Sequence, residues 1–262
     1  QYYHTLEGLP LGWNLDMIVP SDKTCAPEQA KQYYIGWFGS FGQHRLSLGA
    51  FAKQMYNLVY LPDASQLFST ASAGWRSGVM TGEGSSKGIE LLYEKDGEKL
   101  DWKLSYTLSK TDRLFDKLNG GNPFHAQYDR RHILNYSSEY TVISTESRTI
   151  GVSGLFTYQS GHWTTVHAGN VTGLIPPFNT PHEIHYYMGL NNWEMPAYIR
   201  MDLGVFIKYG QDSSHPGQLN IGIYNLLNRH NPYSLTYDAN SRKWKQVSLF
   251  PIMPSISWNV TF

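Results

Sequence analysis

The feature that most constrains this chain is an alternation of apolar and polar residues that outlasts an ordinary strand. Ile199, Met201, Leu203, Val205, Ile207 and Tyr209 interleave with Arg200, Asp202, Gly204, Phe206 and Lys208. Similar runs start at Leu46, Trp102, Ile150 and Ile256. Side chains two apart on an extended chain share a face, so each run has one apolar face and one polar or small face. Helical spacing is nearly absent. The pattern predicts nine strands, at about 28–38, 44–58, 84–95, 98–112, 128–141, 147–161, 196–210, 217–229 and 246–262. Most exceed the roughly 5–6 residues of a globular strand. They reach the roughly 9–11 that a tilted strand needs to cross a bilayer.

The connections alternate too. Residues 39–43, 96–97, 142–146 and 211–216 make short links, and 59–83, 113–127, 162–195 and 229–245 make long ones. Membrane barrels keep short turns on the periplasmic side and longer loops outside. Composition agrees. Charged residues are 16% of the chain, against about 25% in a soluble domain, and aromatics are 15%. Zero net charge and the lack of a basic run exclude a nucleic-acid footprint. The single cysteine, Cys25, excludes an intrachain disulfide and a Cys-based zinc site. No apolar run approaches the length of a spanning helix. The opening QYYHTLEGLP has neither the basic start nor the apolar core of a signal peptide. The chain therefore reads as a mature protein or as one beginning inside a longer one. Residues 1–26 read as an extracellular loop with a strand remnant at Tyr2–Tyr3, and 27–262 as barrel.

Four segments, in order, carry a family resemblance. GEGSSKGIELLYEKDGEKLDWKLSYTLSKTDRLFD (82–116) resembles a strand pair entered by a Gly-Glu-Gly turn. YDRRHILN (128–135) resembles the loop-to-strand motif after it. MPAYIRMDLGVFIKYG (195–210) resembles the third strand from the end, and NIGIYNLLNRHNPYSLTYDANSRKWKQVSLFPIMPSISWNVTF (220–262) the C-terminal end. The family is that of TonB-dependent outer-membrane receptors, and the branch resembled carries a carboxypeptidase-regulatory-like domain ahead of the plug. The resemblance implies an all-β, antiparallel transmembrane β-barrel portion, the last nine strands of a barrel of about 22 strands with a plug inside. It implies a bacterial outer-membrane location and TonB-dependent uptake of a nutrient ligand. The partners implied are outer-membrane lipid, the plug and N-terminal strands, and TonB through the upstream part; a surface lipoprotein lid is compatible with the branch. A non-transporting scaffold or partner subunit is the competing reading. A barrel enzyme would need clustered catalytic residues at one strand end, and none stands out.

Candidate residues fall into several sets. The loop at 162–195 holds His162, His167, His182 and His185 with Trp163, Tyr186, Tyr187 and Trp193. These aromatics suit stacking on a sugar, cofactor or porphyrin, and a loop this long is commonly functional. HEIH lacks the spacing of HExxH, so loop packing outweighs metal or haem ligation by the histidines, and no cofactor or metal is assigned. Trp75 and Arg76 belong to a second vestibule wall. Arg45, Lys53, Lys103, Arg131, Glu139, Arg200, Asp202 and Lys208 lie on the polar set and are expected to face the lumen, pairing with one another or with the plug. Tyr93, Tyr106, Tyr136, Tyr140, Tyr158, Tyr209 and Trp258 fall near strand ends as interfacial girdles. Trp258 and Phe262 also fit a C-terminal assembly signal. The sequons at Asn135, Asn170 and Asn259 are treated as chance.

Overall fold

The computed structural model describes residues 3–6, 17–21, 25–61, 78–175, 180–210, 216–238 and 240–261. Nine long strands form one antiparallel sheet in chain order: β1 (Gln29–Phe41), β2 (His44–Tyr60), β3 (Met80–Lys95), β4 (Leu100–Leu114), β5 (His132–Ser144), β6 (Arg148–Gln159), β7 (Tyr198–Tyr209), β8 (Gly217–Tyr224) and β9 (Met253–Val260). A short piece, Phe124–His125, pairs with the outer end of β4. Every neighbour in sequence is a neighbour in space, as an up-and-down barrel wall requires.

The register places the alternating residues as the sequence predicts. Leu203 faces Gly154 and Ile223, Val205 faces Val152 and Ile221, and Ile221 faces Ile256. On the other half, Leu48 lies opposite Trp37 and Leu91, and Tyr106 lies opposite Leu91 and Leu134. These residues make one continuous apolar face, and it is open: Ile35 is 76% exposed, Ile256 74% and Trp258 70%. A soluble sheet would cover such a face, whereas a membrane barrel turns it outward. No described helix is long and apolar enough to cross a membrane.

Aromatic rings band this face. Tyr93 packs edge-on against Trp102 at 4.8 Å, and its hydroxyl is 2.8 Å from His44 Nδ1. Tyr106 and His132 repeat the hydroxyl–imidazole contact at 2.8 Å, nearer the long connections. Trp258 donates its indole N–H to the Tyr209 hydroxyl. The buried hydrophobic cluster lies off this face. It consists of Leu58, Phe115 and Phe124 with Met55, Tyr60, Met80, Leu118 and Leu190 against them, and it sits where the long connections leave β2 and β4.

The elements depart from expectation in several places. β8 stops at Tyr224 rather than near residue 229, because Asn225 takes a positive φ of 52° and turns the chain out of the ladder. The last predicted strand divides. Lys243–Ser248 pairs with Pro232–Asp238 as a separate hairpin, and Met253–Val260 alone joins the sheet. Residues expected as a loop form a backbone pair, Tyr3–Leu6 with Met17–Pro20. The long connection after β6 also carries pairs the periodicity did not predict, Trp163–Thr164 with Trp193–Glu194 and Gly169–Ile175 with Thr180–Tyr186.

On the polar face, rings lie over cross-strand glycines. Phe206 faces Gly151, where a Cβ would come within 2.2 Å of its Cζ and 2.6 Å of the Tyr140 carbonyl oxygen. Gly151→Val should therefore cost about 1–3 kcal/mol by overpacking. It is expected to lower the temperature at which the folded gel band of the complete protein disappears. Adding Phe206→Ala should restore part of the loss, leaving the part due to the carbonyl.

Candidate functional site

The polar face carries ordered charge. Arg45 contacts Glu94 at 3.2 Å and Asp96 at 2.8 Å, and Lys103 contacts Glu94 at 2.8 Å, all beside the short turns. At the opposite end Arg200 lies 3.1 Å from Asp202, with its guanidinium 4.7 Å above the Tyr224 ring. Lys208 stands over Phe206 at 5.0 Å. A cavity of about 600 Å³ runs along this face, lined among others by Glu94, Lys103, Glu139, Asp202, Asn220 and Ser255. Arg131 stands just before β5, where its carbonyl accepts the Ser109 N–H at 3.1 Å.

Two asparagines that the sequence reading passed over hold the outer end of β7. Once β8 has turned away, Asp202 accepts the Asn225 N–H at 2.9 Å, and Leu226 N–H reaches the Met201 carbonyl at 2.7 Å. Asn231, 2% exposed, receives the Ile199 N–H on Oδ1 at 2.8 Å and donates Nδ2 to the Ile199 carbonyl at 2.8 Å. Its carboxamide thus supplies the donor and acceptor that a paired strand would present. Asn225, Asn228 and Asn231 recur every three residues in NLLNRHN, two of them at positive φ. That spacing was the available signal.

Beyond β7 the two longest connections meet. The His167 ring is 4.3 Å from Tyr237 and 4.8 Å from Trp244, with Tyr187 at 6.3 Å. Asn170 donates to the Tyr237 hydroxyl. Tyr237 and Trp244 sit opposite each other in their hairpin, which is held at its turn by Asp238. That carboxylate receives Lys245, the Ser241 hydroxyl and the N–H groups of Asn240 and Ser241, and its pKa is drawn down to about 2, by Lys245 first. The loop from 162 to 195 and the hairpin from 232 to 248 are therefore joined through aromatic rings. Tyr186, Tyr187 and Trp193 remain 50%, 55% and 53% exposed.

The base of the long loop is built differently. Trp163 stacks on His125 at 4.0 Å, and His125 Nδ1 lies 3.4 Å from Asp112 and 3.5 Å from Asp129. Burial raises the pKa of Asp129 although it accepts the Thr111 N–H at 2.8 Å. Arg130 donates to the Ser160 carbonyl at 2.9 Å and lies 3.4 Å from His162. Gly161 must be glycine, since a Cβ there would fall 1.6 Å from the Met195 carbonyl oxygen.

The predicted ligand-contacting residues are thus only partly assembled. Trp163 and Trp193 sit in the loop's basal pair, and Tyr186 and Tyr187 flank the upper hairpin. His182 and His185 stand opposite Gly173 and Asn170 in backbone register; their side chains, together with Trp75, Arg76 and Phe262, lie outside the described residues. Among the described residues no group of three or more His, Cys, Asp or Glu is placed to hold a metal ion. The sequence does not single out Tyr237 and Trp244, because both fall in the long connecting segment 229–245.

A family model described as TonB dependent receptor-like, beta-barrel matches residues 25–226. The chain belongs to the TonB-dependent receptor β-barrel family. It is a portion of a receptor β-barrel of the outer membrane. The fold is similar to that of BauA, the ferric preacinetobactin receptor from Acinetobacter baumannii, at 17% identity and a TM-score of 0.56. That match covers 90% of this chain and 30% of BauA. The ferripyoverdine receptor of the Pseudomonas aeruginosa outer membrane is similar at 16% identity and a TM-score of 0.55, over 89% of this chain and 27% of the receptor. No curated protein matches the sequence. The chain thus spans under a third of these receptors, and the rest of such a barrel must come from other receptor parts.

The loop base titrates in a defined direction. Burial first, and then the Arg130 charge, hold the His162 pKa below its usual 6.5. A folded-state value below the unfolded one gives stability that is full above pH 6.5 and lost as pH falls beneath it. The protection factor of the Met195 amide, which donates to the His162 carbonyl at 2.9 Å, should fall with acidification below that pH. His162→Gln should flatten the dependence in the same hydrogen-exchange measurement.

Proposed function

We propose that this chain forms one wall and the outer loops of a receptor that takes up a nutrient ligand with energy from TonB. What carries this reading is the meeting of two separate outer connections at His167, Tyr187, Tyr237 and Trp244, on a barrel of the receptor family. Flat rings with polar edges suit a ligand that offers an apolar face and hydrogen-bonding groups. Tyr186, Trp163, Trp193, His182 and His185, with Trp75 and Arg76 from the loop after β2, complete the proposed contact set. The iron complexes named for the two solved receptors are not carried over, because the likeness to them is one of fold.

The polar face is proposed as the lumen wall, with Arg131, Arg200, Asp202 and Lys208 turned toward a plug supplied by the upstream part. TonB would act on that part. A carboxypeptidase-regulatory-like domain before the plug and a surface lipoprotein over the loops complete the proposed assembly. Trp258 and Phe262 are proposed as the signal read during barrel insertion, and lipid as the partner of the apolar face.

The test uses the complete receptor in its native host. Inactivating the gene should abolish growth on one limiting nutrient, and a plug or TonB-contact deletion should do the same. Tyr187→Ala with Trp244→Ala should weaken ligand binding about tenfold, the scale of two lost aromatic contacts. Unchanged growth after gene loss, across nutrients tested singly, would instead favour a non-transporting scaffold.

A further inference from the structure

On the lipid-facing side of the sheet, one position breaks the apolar pattern with a repulsive pair. Lys87 of β3 and Lys110 of β4 stand directly opposite each other. One ladder step toward the short turns, Ile89 faces Leu108; beyond that, Leu91 faces Tyr106. One step toward the long connections, Ser85 faces Asp112, and the next pair is Glu83 with Leu114. The two ammonium groups therefore sit at the border where the apolar belt ends. Lys87 is exposed and has no ionic partner among the described residues. Lys110 contacts Asp112 at 2.8 Å, but Asp112 also lies 3.4 Å from His125, so that carboxylate is shared. Across β2, Lys87 faces uncharged Ala52. Lys31 of β1 adds a third cation on the same face and side, over the Tyr56 ring at 5.7 Å.

Like charges directly opposite on a sheet destabilise it. Lysine on the lipid face is tolerated only near the interfaces, where its stem can lie along apolar surface with the ammonium reaching outward. An anion between the two ammonium groups removes the repulsion. We propose that Lys87 and Lys110 clamp the phosphate of an outer-leaflet lipid headgroup, with Lys31 flanking it and the acyl chains lying on Ile89, Leu91 and Leu108. The continuity of cations with an apolar belt selects a lipid over free phosphate. The leaflet assignment rests on long connections facing outward, as proposed above. Uptake is not the readout, so this inference and the transport reading fail separately.

The complete receptor, extracted in mild detergent from its native membrane, should carry bound phosphorylated lipid, measured by native mass spectrometry. Lys87→Gln with Lys110→Gln should reduce that lipid about tenfold or more, from roughly 1 kcal/mol per lysine at an anionic surface. Lys87→Arg with Lys110→Arg should keep it. Titrating the unaltered receptor with phosphatidic acid and with an uncharged diacylglycerol of the same chains provides a second measurement that does not depend on any variant folding. Preference for the phosphate lipid, undisturbed by millimolar inorganic phosphate, is expected. Equal binding of the two lipids, displacement by inorganic phosphate, or full retention in the Gln variant would overturn the proposal.

Discussion

Every other feature of this structure depends on the backbone ladder. In hydrocarbon there is no water to take an unpaired N–H or C=O, so each must find a partner in the protein. Twelve consecutive pairs, from Tyr198 with Gln159 to Tyr209 with Arg148, join β6 to β7 without a bulge. Continuity on that scale frees the side chains of one face from packing duty. They can then be chosen for contact with lipid, and the usual inside-out arrangement of a soluble protein is reversed. The small buried cluster around Phe115 and Phe124 lies only where the chain leaves the wall.

The nine strands were legible because the constraint that makes them is itself periodic. A residue such as Leu203 or Val205 must face lipid, its neighbours Asp202 and Gly204 must not, and the period of two follows directly. The same logic puts Arg200, Asp202 and Lys208 on one face from the alternation alone. Strand ends obey no such rule. A single left-handed residue, Asn225, ended β8 short of its apolar pattern, and nothing in the alternation of Asn220 to Leu226 announces it.

The candidate site was less legible for a related reason. The loop from 162 to 195 advertised itself by length and by aromatic content, but its partner did not. Tyr237 and Trp244 lie some 70 residues further along, in a stretch rich in polar residues, and only the folding of Pro232–Asp238 against Lys243–Ser248 lifts them to His167. Pairings between separate connections are set by where the wall delivers the chain ends, which no local pattern encodes. The His125, Asp112 and Asp129 contacts at the loop base were hidden in the same way, since they come from two segments flanking one connection.

Asn231 has a mechanical meaning. Where β8 leaves, the backbone of Ile199 is satisfied by one side chain rather than by a strand. The hairpin from 232 to 248 is thereby hinged to the wall through a few polar contacts, not welded to it by a ladder. Swinging it would break side-chain bonds that water can replace at the rim, and would leave the ladder below Leu203 closed. The wall can stay sealed against lipid while the structure above it moves.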